Sequence, residues 1–206
     1  LWKMGKISIS VIIPTFNRGS YLKKCLNALF GDIIYGKHKD VEVIVIDDGS
    51  TENVKKQATE FPVRFYRLKK NSGPAAARNL GIRKAKGDIV FFIDSDVLLQ
   101  NNGISHIKKN FKKDRNIAAV QGNYTKYPYF TNFFTKYKNF LLHYNFLKYH
   151  RKYGKGIATF CVAVKKNVIK GTGGFNEGLK TASIEDEAPG LMIYSKGKKI
   201  LFDNSV

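Results

Sequence analysis

Two aspartates on either side of a serine, Asp94-Ser95-Asp96, directly follow the apolar run 89–93. If that run is a buried strand, residues at alternate positions share a face, and both carboxylates can point at one ion. Carboxylate oxygens suit hard divalent cations such as Mg²⁺ or Mn²⁺, which take further ligands from diphosphate oxygens. The spacing therefore predicts that Asp94 and Asp96 hold a metal ion together with a nucleoside diphosphate. A loop of Asx turns is the alternative.

A second acidic cluster, Glu185-Asp186-Glu187, stands out because Asp and Glu are scarce in this chain. It precedes Pro189 at an apparent helix start, where the helix dipole stabilises acidic side chains, so helix capping is one interpretation. The other is catalysis, because a carboxylate near a metal in a partly desolvated cleft can take a proton from an attacking hydroxyl. We expect this cluster to supply a general base.

Two further polar clusters also follow apolar runs. Residues 14–18 follow the run 7–13, and Asp47-Asp48-Gly49-Ser50 follows the run 41–46. A tight turn explains Gly49 and Ser50. Two adjacent aspartates at a strand end also suit hydrogen bonds from a nucleotide base or from ribose hydroxyls.

The segment 71–79 combines small residues with one arginine at the start of an apparent helix. Small residues let a ligand approach the backbone closely, and the free N–H groups of a helix start attract phosphate. Arg78 lies in the first turns, within reach of a diphosphate or an aspartate. The alternative for the alanines is a small-residue face packed on a sheet.

The elements that must position these clusters alternate between strand and helix. The patterns predict strands at 7–13, 41–46, 63–68 and 89–93, and helices at 21–30 with Ser20 as N-cap, 51–60 and 74–86. Such alternation indicates a mostly parallel sheet with flanking helices, whose ligands bind at the carboxyl ends of the strands. The second half predicts helices at 103–113 and 129–150, strands at 117–120, 156–164 and 200–202, and a segment 184–195 interrupted at Pro189-Gly190.

Composition limits the classes of function. The 206 residues suit one domain, and 36 Lys and Arg against 16 Asp and Glu give a net charge of +20, which attracts anions. No run is long enough to span a membrane, and Cys25 and Cys161 are expected to be buried thiols.

The segment 129–150 is rich in aromatic residues and lysine, with Phe130, Phe133, Phe134, Tyr137, Leu141 and Tyr144 at helical spacing. It is either part of the core or an interfacial helix that lies on an anionic membrane and collects a lipid-linked acceptor. Nothing resembles a nucleic-acid module, so nucleic acid is not expected as a partner.

Six motifs in order carry a resemblance to a known family: Ile-Ile-Pro-Thr-Phe-Asn-Arg at 12–18, Val-Ile-Asp-Asp-Gly-Ser at 45–50, the segment 71–81, Asp-Ser-Asp at 94–96, Gly-Gly-Phe at 173–175 and Glu-Asp at 185–186. Together they resemble the family-2 inverting glycosyltransferases of the GT-A fold. The resemblance implies a Rossmann-like α/β fold, a mostly parallel central sheet flanked by helices, with a small mixed acceptor-side region. It implies one domain with a nucleotide-binding half, 1–100, and an acceptor-binding half, 101–206.

The resemblance also implies roles for residues. Asp186 would be the catalytic base with Glu185 beside it, and Asp94 and Asp96 would hold Mn²⁺ or Mg²⁺. The donor, a nucleoside-diphosphate sugar and by expectation a UDP-sugar, would contact Pro14, Thr15, Asn17, Arg18, Asp47, Asp48, Gly49, Asn71, Gly73, Arg78, Asp94 and Ser95. The implied enzyme is a hexosyltransferase of cell-envelope polysaccharide synthesis that acts on a saccharide or lipid-linked acceptor. It is expected in the cytoplasm, peripheral on the inner face of the membrane.

The chain departs from the family pattern in two places. Met192 stands where an arginine is usual, and Pro189 lies in the same segment. A metal-binding histidine of many relatives would follow Val206, so the chain is expected to be truncated at its C-terminus. Two alternatives stay open: a non-catalytic or impaired nucleotide-sugar-binding domain, and a nucleotidyltransferase, which would need a Gly-rich phosphate loop after the first strand.

Overall fold

The computed structural model describes residues 7–125, 133–149, 153–178 and 186–206. Its strands are β1 (Ile9–Thr15), β2 (Val41–Asp47), β3 (Arg64–Arg67), β4 (Ile89–Ile93), β5 (Ile117–Gln121), β6 (Tyr153–Gly154), β7 (Cys161–Lys165) and β8 (Lys199–Phe202). Its helices are α1 (Gly19–Tyr35), α2 (Val54–Ala58), α3 (Pro74–Lys84), α4 (Gly103–Lys113), α5 (Phe133–Tyr149), α6 (Lys166–Gly171) and α7 (Glu187–Ser195).

The described strands form one sheet in the order β3-β2-β1-β4-β7-β5-β8-β6. The first four positions in this order are parallel throughout. β7 then pairs antiparallel with both β4 and β5, while β5 and β8 are parallel. The predicted mostly parallel sheet with a mixed region in the second half is confirmed. Because β1, β2 and β4 are parallel, their carboxyl ends meet at one edge.

The centre of the sheet is covered on both faces. All five residues of β4 are buried. Phe91 belongs to a core cluster with Leu22 and Leu26 of α1, whereas Phe92 belongs to the cluster on the other face with Ala77 of α3. Burying an aliphatic or aromatic side chain of this size contributes about 1.5–3 kcal/mol. The uninterrupted apolar run of β4 reflects helices on both sides of a parallel strand.

Helix α3 approaches the sheet closely because its inward face is made of small residues. Ala75 and Ala77 are fully buried, and a Cβ at Gly81 would lie 2.3 Å from Cγ2 of Ile12 in β1. The alanines therefore pack on the sheet, as the structural interpretation of the segment 71–79 predicted.

Two predicted helix boundaries near the site were wrong. The first helix begins at Gly19, so Ser20 lies inside its first turn and is not the N-cap. A distant side chain takes the capping role, because Oε1 of Glu52 accepts a hydrogen bond from the Gly19 N–H at 2.7 Å. The helix predicted at 51–60 covers only Val54–Ala58, and the Asn53 side chain caps it.

Two predictions in the second half also needed correction. The strand predicted at 156–164 is Cys161–Lys165. The residues before it pack elsewhere: a Cβ at Gly190 in α7 would lie 2.6 Å from the Ile157 nitrogen. Helix α7 runs from Glu187 to Ser195 without the predicted interruption. Pro189 is its third residue, in the first turn, where no intrahelical N–H bond is needed.

Helix α5 lies with only one side towards the body of the protein. His143 is buried and Thr135, Asn139 and Leu142 are half-buried, whereas most other described side chains of the helix are exposed. The interpretation of this segment as core is therefore wrong for the seven large side chains that are exposed: Phe133, Phe134, Tyr137, Phe140, Leu141, Tyr144 and Leu147. Phe130 lies outside the described residues. Among the described helices, none is long and apolar enough to cross a membrane. Cys25 and Cys161 are buried free thiols, as predicted.

Candidate active site

A cavity of ≈ 350 Å³ opens where the carboxyl ends of β1, β2 and β4 meet the start of α3. It is lined by Pro14, Thr15, Phe16, Arg18, Asp48, Asn71, Gly73, Pro74, Ala77, Arg78, Asp94, Ser95 and Asp96. Most residues predicted to bind the donor or the metal are thus brought together. Among those predicted, Asn17, Asp47 and Gly49 do not line the cavity, whereas Phe16, Pro74 and Ala77 line it without having been predicted.

Asp48 shapes the wall of the cavity through the backbone of the loop before α3. Its two carboxylate oxygens accept hydrogen bonds from the N–H groups of Ser72, at 2.7 Å, and Gly73, at 2.9 Å. Burial raises the pKa of the Asp48 carboxyl above its usual value, although these two N–H donors act in the opposite direction. Asp48 therefore joins the end of β2 to the helix start that faces the cavity.

Asp47 points away from the cavity and holds the turn that follows β2. It is fully buried, accepts a hydrogen bond from the Ser50 N–H at 2.9 Å, and lies 3.5 Å from Nε of Arg67. Gly49 completes this turn at φ 76°, and a Cβ there would lie 2.6 Å from the Lys70 carbonyl carbon. These two residues determine the shape of the turn, and their predicted contact with the donor stays a prediction.

Asn17 connects the loop after β1 to the loop after β2. Its Oδ1 accepts a hydrogen bond from the Thr51 N–H at 2.8 Å, and its own N–H donates to the Ser50 hydroxyl at 2.9 Å. The residue adopts the left-handed conformation at φ 51°, which asparagine tolerates better than most residues. Asn17 thus positions the neighbouring Phe16 and Arg18, both of which line the cavity.

Arg78 is the buried cation of the site. Only 4% of the residue is exposed, and its Nη2 donates to Oδ1 of Asp94 at 2.9 Å. The guanidinium lies 6.0 Å from the ring centroid of Phe175, which packs edge-on against Phe92. Arg78 is therefore fixed between the acidic strand end and an aromatic side chain from the Gly-Gly-Phe motif.

The Gly-Gly-Phe turn is itself held by Asn79. The Asn79 side chain accepts from the Phe175 N–H at 2.9 Å and donates to the Phe175 carbonyl at 2.8 Å. Gly174 is at φ 81°, and a Cβ there would lie 2.6 Å from Oδ1 of Asn79. The sequence patterns assigned no role to Asn79 or Phe175. The two residues contact each other across 96 positions of the chain, and no local pattern records such a contact.

Asp94 and Asp96 each face an arginine in this structure. Asp94 pairs with Arg78, and Asp96 pairs with Arg18, whose guanidinium also lies 6.0 Å from the Tyr21 ring centroid. Burial raises the pKa of Asp94 above its usual value, and the charges of Asp96 and Asp186 act in the same direction, although Arg78 opposes them. Additional positive charge at this site would stabilise the charged form of the Asp94 carboxyl.

The oxygen donors of Asp94 and Asp96 fit a hard divalent cation. Within residues 7–125, 133–149, 153–178 and 186–206, no three His, Cys, Asp or Glu side chains form a cluster that could hold a metal ion. The predicted binding of a cation by these two carboxylates together with a diphosphate stays a prediction.

Asp186, from the other half of the chain, lies close enough to Asp94 for its charge to act on that carboxyl, but it lines neither this cavity nor the cavity beside α5. It precedes α7, and its Oδ2 accepts from the N–H of Thr159 at 2.9 Å and from the Thr159 hydroxyl at 3.2 Å. The next residue, Phe160, accepts from the Asp94 N–H at 3.0 Å. Asp186 is thus connected to Asp94 through hydrogen bonds to two consecutive residues, Thr159 and Phe160. Glu185 lies outside the described residues. Thr159 was not foreseen, since an isolated threonine carries no sequence signal.

A second cavity of ≈ 460 Å³ shares Asp94 and Asp96 with the first and continues towards α5. Tyr124 and Phe160 line it, and their rings stack with centroids 4.2 Å apart. Burial raises the pKa of Tyr124 to about 12, so this phenol stays neutral. Two cavities thus meet at the Asp94-Asp96 pair.

The chain is similar in sequence to known glycosyltransferases. A family model with the description "Glycosyl transferase family 2" matches residues 10–170. The chain is 39% identical over 122 residues to the poly(ribitol-phosphate) beta-N-acetylglucosaminyltransferase TarP of Staphylococcus aureus (strain N315). That alignment covers 56% of this chain and 36% of TarP, so the chain corresponds to about a third of that relative.

Two solved structures share the fold. The mannosyltransferase PcManGT from Pyrobaculum calidifontis, in complex with GDP-Man and Mn²⁺, matches with a TM-score of 0.76 at 20% identity over 98% of this chain and 56% of its own. S. aureus TarS 1–349 in complex with UDP-GlcNAc matches with a TM-score of 0.73 at 19% identity over 97% of this chain and 57% of its own. These similarities confirm the predicted α/β fold of the GT-A type.

Proposed function

This chain belongs to glycosyl transferase family 2, and from that premise we propose that it transfers a sugar from a nucleoside-diphosphate donor to an acceptor hydroxyl with inversion at the anomeric carbon. The observation that carries the proposal is the meeting of two cavities at Asp94 and Asp96. Arg78 pairs with Asp94, and Asp186 is connected to Asp94 through hydrogen bonds to the consecutive residues Thr159 and Phe160. One cavity suits the donor and the other suits the acceptor.

The donor cavity provides contacts for each part of a nucleotide sugar. The Asp48 carboxylate and the exposed ring of Phe16 line it and suit a base and its ribose. Arg18 and Arg78 also line it, paired with the two aspartates, and they suit the diphosphate. UDP is the nucleotide that we expect, with GDP as the competitor, because the two structural neighbours carry UDP-GlcNAc and GDP-Man.

In a direct displacement, the residues of this chain have separate roles. Asp186 takes the proton of the attacking hydroxyl with Oδ1, while Thr159 holds its Oδ2 in place. Arg78 stabilises the negative charge on the departing nucleoside diphosphate. Asp94 and Asp96 would hold Mn²⁺ or Mg²⁺, which when bound supplies further positive charge to the diphosphate. Attack from the side of Asp186, opposite the leaving group, inverts the configuration.

The second cavity suits the acceptor. The stacked Tyr124 and Phe160 rings offer an apolar face of the kind that packs against a sugar ring, and the polar side chains of Asn123 and Asn139 lie on the same walls. A saccharide or the head of a lipid-linked saccharide fits this chemistry.

The substitution Asp186→Asn tests the assignment of the base. We expect kcat for release of UDP from UDP-GlcNAc, or of GDP from GDP-Man, to fall by about 10²–10⁴-fold because an amide cannot take the proton. The Kd of the nucleotide, measured by calorimetry with Mn²⁺, should change by less than about twofold, since Asp186 does not line the donor cavity.

Glu187→Gln, one residue further and on the exposed side of the α7 start, is the matched control and should retain activity. If Asp186→Asn keeps full turnover while nucleotide binding collapses, Asp186 is not the base. If neither nucleotide binds the unaltered chain with Mn²⁺ or Mg²⁺, the proposed function itself fails.

A further inference from the structure

Helix α5 presents an apolar face to solvent that the transferase reaction does not use. The seven large exposed side chains that make up this face, here called the α5 face, are Phe133, Phe134, Tyr137, Phe140, Leu141, Tyr144 and Leu147. Phe134 is 80% exposed and Phe133 74%. A contiguous exposed surface of this kind on a protein marks an interaction site.

Helical spacing places these side chains together. Phe133, Tyr137, Phe140 and Tyr144 follow the i, i+4, i+7, i+11 pattern of one helix side. The opposite side contains the buried His143 and the half-buried Thr135, Asn139 and Leu142. The helix is about 25 Å long at 1.5 Å per residue, so the face is an elongated strip on the surface.

Positive charge accompanies the α5 face. Lys136, Lys138 and Lys148 belong to the same helix, and all three are exposed. From Arg115 to Asn176 the sequence contains eleven Lys and Arg and no Asp or Glu. The positive charge of this helix, in a chain of net charge +20, therefore complements a surface of negative charge.

We propose that the α5 face docks on an anionic lipid bilayer, with its aromatic and leucine side chains in the interfacial layer and Lys136 and Lys148 among the headgroups. Helices that expose aromatic and leucine side chains beside lysines bind membranes in this way, through apolar burial and attraction to anionic lipid. Leu141 and Leu147 favour a lipid over a polynucleotide, because an aliphatic side chain offers no ring on which a base could stack.

Docking would place the acceptor cavity at the membrane. Thr135, Lys138, Asn139 and Leu142 of α5 line the second cavity, which reaches Asp94 and Asp96. A bilayer on the outer side of α5 would therefore bring a lipid-linked acceptor next to this cavity. This consequence rests on the proposed function, whereas the docking itself does not.

Sedimentation of the 206-residue chain with vesicles tests the proposal without any nucleotide present. We expect binding to phosphatidylcholine vesicles that contain about 30% phosphatidylglycerol, and at least about tenfold weaker binding to vesicles of phosphatidylcholine alone. The double substitution Phe134→Ser/Phe140→Ser should lower binding to the anionic vesicles by about tenfold or more. Neither residue lines a cavity of the site.

The control is the double substitution Ile34→Ser/Tyr35→Ser at the end of α1, where the residues are 69% and 88% exposed. It removes comparable apolar surface and should leave vesicle binding unchanged, as should Asp186→Asn. Circular dichroism establishes that each variant is folded.

Four results would overturn the proposal: equal binding to neutral and anionic vesicles, no binding at all, equal losses in the two double variants, or a self-associated chain that Phe134→Ser/Phe140→Ser converts to monomer. The last would identify the α5 face as a contact between copies. A fifth result would also overturn it: binding of polyuridylic acid that falls by the same factor in Phe134→Ser/Phe140→Ser would identify a nucleic-acid surface instead.

Discussion

Asp94 and Asp96 are two residues apart, yet their arginine partners differ in how firmly they are held. The Arg78 side chain is 5% exposed and the Arg18 side chain 52%. An exposed ion pair contributes about 0–1 kcal/mol, because water and salt screen it. Arg18 can therefore leave Asp96 at small cost when a diphosphate or a cation arrives, whereas Arg78 stays on Asp94.

This difference makes Asp96 the sharper test of metal binding. UDP with Mn²⁺ at about 100 times Kd adds about 2.7 kcal/mol to the free energy of unfolding, which raises the Tm of a chain of this length by about 5–10 °C. In Asp96→Ala we expect the increment that depends on Mn²⁺ to be lost while the shift with UDP alone remains. Differential scanning fluorimetry measures both. An unchanged Mn²⁺ increment would remove Asp96 from the metal site.

Thr159 is a positioning residue for the proposed base. Thr159→Val removes the hydroxyl that donates to Oδ2 of Asp186 and keeps the backbone N–H. Hydrogen bonds to charged groups contribute about 1.5–3 kcal/mol, so we expect kcat to fall by about tenfold or more. The Kd of UDP should stay constant, because Thr159 does not line the donor cavity.

Thr159→Ser is the control, since serine restores the hydroxyl, and it should recover most of the turnover. Rates are measured well below the Tm of each variant, so that lost stability does not enter. A Thr159→Val chain with normal kcat would mean that the backbone N–H is sufficient to orient Asp186.

At the scale of elements, three loops form the donor side through contacts with one another. Asn17 connects the β1 loop to the β2 loop, and Asp48 connects β2 to the start of α3. Gly49 allows the β2 turn to touch the backbone of the loop before α3. A substitution that displaces one loop should therefore also displace the other two.

Gly49→Ala tests this coupling. A Cβ at this position meets a backbone atom at 2.6 Å in addition to the strain of φ 76°, so we expect a loss of about 2–4 kcal/mol in the free energy of unfolding and weaker UDP binding. Gly197→Ala provides the comparison, because Gly197 has φ 67° and nothing within 4 Å of its Cβ position.

The comparison variant should lose only about 1 kcal/mol, from backbone strain alone, and should bind UDP normally. Urea unfolding measures the stability of both variants. Equal losses in the two variants would mean that the contact between the β2 turn and the Lys70 backbone has no energetic consequence.

At the scale of the whole molecule, the net charge of +20 acts on every anionic ligand. Fields of this strength raise association rates, and salt screens them over a Debye length of about 10 Å at 0.1 M. We expect the association rate of UDP to fall severalfold between about 0.05 and 0.5 M NaCl, with a smaller change in the dissociation rate. Stopped-flow measurement with a fluorescent UDP analogue tests this. An association rate that does not depend on salt would show that the field does not guide the donor.

Sequence patterns predicted the parallel half of the sheet well. β1, β2 and β4 are apolar runs that end in polar clusters, and helices bury such strands on both faces, so their position and direction follow from local pattern. The predictions were weaker where distant groups decide the outcome. Glu52 caps α1 in place of Ser20, and the backbone at 156–157 packs on Gly190 instead of joining the sheet.

The sequence by itself determined the family, the fold class and the strand-end carboxylates, because strand periodicity and the order of short motifs are local properties. Only the tertiary structure decided that Asp48 faces the cavity at the strand ends while Asp47 supports a turn, and that Asn79 holds Phe175 beside Arg78. It also decided that Thr159 holds Asp186 and that α5 turns five of its aromatic side chains to solvent. These outcomes depend on hydrogen bonds and packing between residues that are far apart in the chain. Such contacts form only once the sheet has brought its strands together, and no local pattern records them.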